Sequence, residues 1–259
     1  MKISLAIASV ALLLAISVSG AAQSKAGTVS AQATPSPSPG PSPPDLRGLK
    51  FLLFADQSLE ELTKGVSTTD LNNSFALFAS SLAASREGKV EQAKNDLKRA
   101  MAVKDIDSRT LVSAWKALRE LGERPPADVA SKVQGVVVEL HYEPGVMTVA
   151  AYADGGARWY TWLGGGVIWE SPGKEPQIDS MIRELLKSAE PFVKTAPLTD
   201  THKTSDPPLD YLRLSILTFS GIYTVEAYGP KIEQTSPMGK VFAATMKLGQ
   251  GLSEKGQDK

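Results

Sequence analysis

Residue types able to do chemistry are sparse in this chain of 259 residues. It has no cysteine, which removes thiol nucleophiles, disulfides, iron–sulfur clusters and cysteine-ligated zinc together. Two histidines are too few for a multi-histidine metal centre. His141 lies near the end of a strand-like run, on the side shared by Val137 and Glu139. A carboxylate beside an imidazole can orient a general base, but no nucleophile is placed next to this one, so a solvated strand end is expected. His202 stands in Thr199-Asp200-Thr201-His202-Lys203-Thr204-Ser205-Asp206. Two acids and one imidazole could hold a metal loosely; with a single histidine, a flexible polar loop is the expectation. The spacings Gly-x-Ser-x-Gly, Gly-x-x-x-x-Gly-Lys-Ser/Thr and Gly-x-Gly-x-x-Gly do not occur. Gly164-Gly165-Gly166 falls between two strand-like runs and reads as a turn, not a phosphate cradle. No cofactor and no metal is expected.

Carboxylates and aromatics remain. Glu139, Asp154, Glu170 and Glu226 lie on or beside expected strands. A pair drawn from Glu139, Asp154 and Glu170 could serve a hydrolase if two faced each other across ~5–9.5 Å. Four acids on six strands are also ordinary for a sheet with one wet face. The aromatic signal is denser. Of seventeen aromatics, six fall between Tyr142 and Trp169: Tyr142, Tyr152, Trp159, Tyr160, Trp162 and Trp169. Along 157–163 the two-residue period puts Trp159 on one face and Arg158, Tyr160 and Trp162 on the other. Tyrosine, tryptophan and arginine are the types that anchor interfaces, so Arg158, Tyr160 and Trp162 are the candidate binding residues. Packing of the helical segment over that face is the competing reading.

The elements that must position these residues can be read in order. From 46 to 132 apolar residues recur with a helical period: Leu71, Phe75, Leu77, Phe78, Leu82; then Val90, Ala93, Leu97, Ala100, Met101; then Leu111, Val112, Trp115, Leu118, Leu121. Breaks at Gly88 and at Gly122 and Pro125-Pro126 separate them. From 133 to 252 the character changes. Strands are expected over 133–142, 146–153, 157–163 and 167–170, with Asp154-Gly155 as the strongest hairpin signal. A helix opens near Pro176, a polar loop spans 196–210, and two more strands, 211–219 and 222–228, meet at Ser220-Gly221. Ser236-Pro237 reads as the N-cap and first residue of a last helix, followed by a polar tail at 253–259. The expected fold is α+β: a helical hairpin segment, then a mainly antiparallel six-stranded sheet with two helices on one face.

Composition bounds the setting. Lysine plus arginine equals aspartate plus glutamate, 28 against 28, which offers no concentrated positive field for nucleic acid or anionic lipid. Lys2, an apolar run from Ile3 to Val18 and the small residues Ser19-Gly20-Ala21-Ala22 have the layout of a secretory signal peptide over residues 1–22. The run is about sixteen residues, short of the ~20 of a spanning helix, so no span is expected in the mature protein. Residues 23–45, ending in alternating proline, read as an extended disordered linker. A periplasmic or secreted bacterial protein is expected.

Two stretches carry resemblances. Gly88-Lys-Val-Glu-Gln-Ala93-Lys-Asn-Asp-Leu97-Lys-Arg-Ala100 resembles the second helix of a tetratricopeptide repeat, although Ser80-Ser81 depart from the pattern of its first helix. The pieces Val133–Leu140, Thr148–Arg158 and Gly165–Glu170 resemble a domain of uncharacterised exported bacterial proteins, over roughly half of the chain. That resemblance implies a bacterial source and a domain boundary near 133, with no catalytic residues to carry over. The expectation is a non-catalytic binding or scaffold module whose partner is another envelope protein or a cell-wall glycan; the alternative is an envelope hydrolase using a carboxylate pair.

Overall fold

A computed structural model describes residues 52–66, 73–104 and 106–257. The expected signal peptide and proline-rich linker lie outside the described residues. Among the described residues the labelled helices before the sheet are α1 (Leu59–Leu62), α2 (Ser74–Arg86), α3 (Val90–Met101), α4 (Ser108–Glu120) and α5 (Ala127–Ala130), of which α1 and α5 are four-residue turns. The strands β1 (Gly135–Tyr142), β2 (Gly145–Tyr152), β3 (Ala157–Tyr160) and β4 (Gly166–Trp169) follow as a meander. Then come α6 (Pro176–Ala189), β5 (Leu198–Thr199), β6 (Tyr211–Thr218), β7 (Gly221–Tyr228) and α7 (Pro237–Gln257). All ladders are antiparallel, in the order β4-β3-β2-β1-β6-β7-β5.

The class is α+β as expected, but the sheet has seven strands rather than six. The additional one, β5, pairs Leu198 and Thr199 with Tyr223 and Ile222 inside the stretch read as a polar loop. Two residues cannot display a period of two, so no alternation marks them in the sequence. A second difference is at the C-terminus, where α7 continues to Gln257 although a polar tail was expected from Ser253. Leu252 is fully buried there, and Lys255 Nζ reaches Glu175 at 3.0 Å, so the last turns are held by tertiary contacts that the local composition does not advertise.

β1 shows why the sheet has helices on both sides. Val136, Val138 and Leu140 point to the core made with Ile182 and Leu185 of α6 and Val241 and Leu248 of α7. Val137, between them, points the other way into a second core with Leu53, Phe54, Val112 of α4, Tyr152 and Leu217. A strand buried on both faces reads as a continuous apolar run, as Val136-Val137-Val138 does. The far face is roofed by α4, and α2 and α3 lean on α4 through a third core of Leu77, Phe78, Leu97, Ala114 and Leu118. Ser81 and Ala93 let α2 and α3 approach closely enough for the Ser81 hydroxyl to donate to the Ala93 carbonyl at 2.9 Å.

Helix ends follow local chemistry. Asp107 caps α4, its Oδ1 accepting from the amides of Arg109 and Thr110 at 3.0 and 3.1 Å. Asp107→Ala is expected to cost about 1 kcal/mol in a urea titration without changing the far-UV spectrum, since it exposes two amide donors of one helix only. A change below a few tenths would mean that α4 is held by its packing alone.

Candidate functional site

The β3–β4 hairpin positions the three candidate binding residues, and it separates them. Arg158 and Tyr160 alternate with Trp159 along β3, as expected; Trp159 packs in the α6/α7 core and Tyr160 against the α4-side core. The strand ends at Tyr160. Thr161 N–H then donates to the Gly165 carbonyl at 2.9 Å and closes the turn, so the alternation no longer governs Trp162. Trp162 swings to the α6/α7 side instead, lying edge-on to Tyr142 with ring centroids 5.1 Å apart. It rests on Gly145, where a Cβ would stand 2.6 Å from Cβ of Trp162. Arg158 is buried: its guanidinium donates to Glu170 and to the Trp169 carbonyl, the latter at 3.1 Å. Of the three, only the rings keep partial exposure.

Glu139, Asp154 and Glu170 each have a different partner, while Glu139 and Glu226 converge on one arginine. Glu139 on β1 is buried and faces Arg213 of β6, Nη1 to Oε2 3.2 Å. Glu226 on β7 takes Nε of the same arginine at 2.8 Å and Nζ of Lys203 at 3.1 Å. Burial pushes the Glu226 carboxyl up, but the hydrogen bonds from Arg213 and Lys203 outweigh it and hold the group below the usual range. Asp154 is a joint: Oδ2 accepts from the Ser108 amide at 2.7 Å while Ser108 Oγ accepts from the Asp154 amide at 3.0 Å, docking the start of α4 on the β2–β3 turn. Glu170 is held by Arg158 and by Arg109 at 3.3 Å, and Arg109 in turn lies 5.0 Å over the Tyr152 ring. Burial pushes the Tyr152 hydroxyl far above its ordinary value, and it donates to the Leu53 carbonyl at 2.9 Å. Each acid therefore serves an ion pair or a backbone amide, and none is paired with another acid.

The histidines diverge. His141 donates from Nδ1 to the Pro207 carbonyl at 2.6 Å at the half-buried end of β1. His202 corrects the expectation of a flexible polar loop. Its ring is buried, stacked at 4.4 Å and 6° on Phe54, with Nδ1 donating to Asp56 Oδ2 at 2.8 Å. Lys116 of α4 completes the cluster, Nζ to Asp56 Oδ1 2.8 Å. Asp56 was missed by sequence reasoning, because its partners at 116 and 202 are distant along the chain and no local pattern joins them. Beside it, Arg119 of α4 bridges Asp200 at 3.3 Å and donates to the Phe219 carbonyl. The loop 199–206 is thus fastened to the helical layer.

What stays open is the outer rim of the hairpin. Leu163 is 78% and Ile168 60% exposed, the largest values among the large apolar residues described. Gly166 is tight for a different reason, since a Cβ there would stand 2.5 Å from Cδ1 of Tyr160, whose ring lies across the glycine. Among the described residues no strand pairs with the outer edge of β4, and no group of three His, Asp or Glu could hold a metal ion. No helix among them is long and apolar enough to cross a membrane. Comparison with family models, with curated proteins and with solved structures finds no match.

Proposed function

We propose that the chain is an exported, non-catalytic binding or scaffold protein of a bacterial envelope that engages another envelope protein through the rim of its β3–β4 hairpin. The observation that carries this is the pairing of two facts: the acids and arginines near the hairpin are consumed by ion pairs, while Leu163 and Ile168 stand exposed on an uncharged edge. From Thr161 to Trp169 there is no charged residue. Natural edges are ordinarily blunted by lysine, proline or a bulge, and an unprotected apolar one is a docking strand for an extended segment. Arg158 would act here as a positioning residue, fixing β4 through the Trp169 carbonyl, and Tyr160 as part of the contact face. Trp162 would brace the turn from the opposite side.

The test uses the mature protein as bait in envelope extract, beside a variant carrying Leu163→Lys and Ile168→Lys. Both side chains are exposed, so the variant should melt within a few degrees of the parent. Loss of the captured protein, together with slowed amide exchange at Gly166 and Ile168 of the parent when its partner is bound, is expected. Equal capture by both proteins would remove the hairpin from the interface. Retention of either protein by purified cell-wall glycan in place of a protein would assign the site to a sugar.

A further inference from the structure

We propose that the strand that docks on β4 is β4 of a second copy, the two chains joining across a two-fold axis through Val167. This rests on the preceding reading of the edge as a docking strand and names its partner. The bond from Thr161 N–H to the Gly165 carbonyl fixes which backbone groups are involved. Alternation along the β3–β4 ladder then sends the N–H and C=O of Val167 and Trp169 into β3, and those of Gly166 and Ile168 outward from the sheet. Two such edges are self-complementary. Antiparallel pairing of Gly166 with the partner's Ile168, and the reciprocal pair, forms four backbone hydrogen bonds, with Val167 opposite itself.

The side chains agree with that register. Ile168 projects on the face of Arg158 and Tyr160, where its cross-strand neighbour within the chain is Arg158. Opposite it, in the paired copy, would stand Gly166, which brings no side chain of its own to the contact. The Tyr160 ring already lies over Gly166, so each exposed Ile168 would close against the partner's tyrosine. A shift by two residues that set Ile168 against Ile168 would take each isoleucine away from the partner's Tyr160. Electrostatics permit the contact. The charged cluster nearest the edge, Arg158 and Arg109 with Glu170 and Asp107, balances within each copy, so no net charge of like sign is brought together at the axis. An isologous contact of this kind closes on itself and does not grow into a fibre.

The natural chain lacks cysteine, so single thiols can read the register. In the proposed dimer the two Val167 positions form a non-hydrogen-bonded pair with Cα atoms ~4.5 Å apart, within reach of a disulfide. The two Ile168 positions are diagonal, at ~7–8 Å, and are out of reach. Val167→Cys treated with diamide should cross-link rapidly into a covalent dimer, and Ile168→Cys at least about tenfold more slowly. Sedimentation equilibrium of the parent should show a monomer–dimer equilibrium, and Ile168→Lys should weaken it about tenfold or more at an unchanged melting temperature. A parent that stays monomeric throughout the micromolar range, or equal cross-linking by both thiols, overturns the two-fold dimer. If the parent is monomeric but the hairpin variant still loses its captured protein, the docking strand stands and only its identity as a second copy falls.

Discussion

Replacing Arg213 by alanine will cost about 3–5 kcal/mol of stability, read as a fall in the urea midpoint with the slope retained. The guanidinium is 2% exposed and binds three groups: Glu139, itself 1% exposed at the centre of the sheet, Glu226 at the edge of the row, and the Ser205 carbonyl. Taking it away leaves a carboxylate desolvated between β2 and β6 without the cation that offsets it, and burying an uncompensated charge is the expensive half of such a pair. It also releases the segment that carries Ser205. The companion variant Arg213→Met with Glu139→Gln removes both charges and should recover most of the loss, because the pair as a whole is close to break-even against apolar or neutral isosteres. A single-variant loss below about 1 kcal/mol would mean that water reaches this row.

Asp56→Ala should cost about 3 kcal/mol at neutral pH and should do so locally. Asp56 joins three parts of the fold: its own segment beside Phe54, Lys116 of α4, and His202 of the 199–206 loop. Amide exchange over 52–56 and 200–204 should accelerate more than exchange in β1. The loss should also depend on pH. Burial raises the Asp56 carboxyl, but the hydrogen bonds from His202 and Lys116 outweigh it and hold the group below its ordinary value. A carboxyl depressed in the folded state contributes stability that is fully present above its unfolded value. That contribution disappears as pH falls through the folded one. The gap between parent and variant should therefore narrow below about pH 4. A gap that is independent of pH down to pH 3 would assign the effect to packing on Phe54 instead of to the charge.

Neighbours along the chain decided much of this protein. The 3.6-residue stripes and the breaks at Gly88 and Gly122 mark α2, α3 and α4, and both glycines adopt φ near +80°, where a side chain would be strained. Asp154-Gly155 makes the β2–β3 turn, Pro176 opens α6, and Ser236 caps α7 by accepting from the Gly239 amide at 3.0 Å. These devices act within four residues, so they are written locally. The same is true of the face assignment of Trp159 and Tyr160, which fails at Trp162 only because β3 ends at Tyr160, three residues short of the expected strand 157–163.

Tertiary structure alone decided which polar groups meet. Glu139 and Arg213 are 74 residues apart and Asp56 and His202 are 146 apart, and each pair exists because β1 lies beside β6 and the helical layer covers the far face. A residue's type fixes what it can bond; its long-range neighbours fix whether it is desolvated and what it bonds. Hence a histidine in a polar run became a buried ring, and an arginine of a binding-like trio became the clamp of a strand. The exposed edge of β4 is a decision of the same kind, since strand order, not strand sequence, makes an edge.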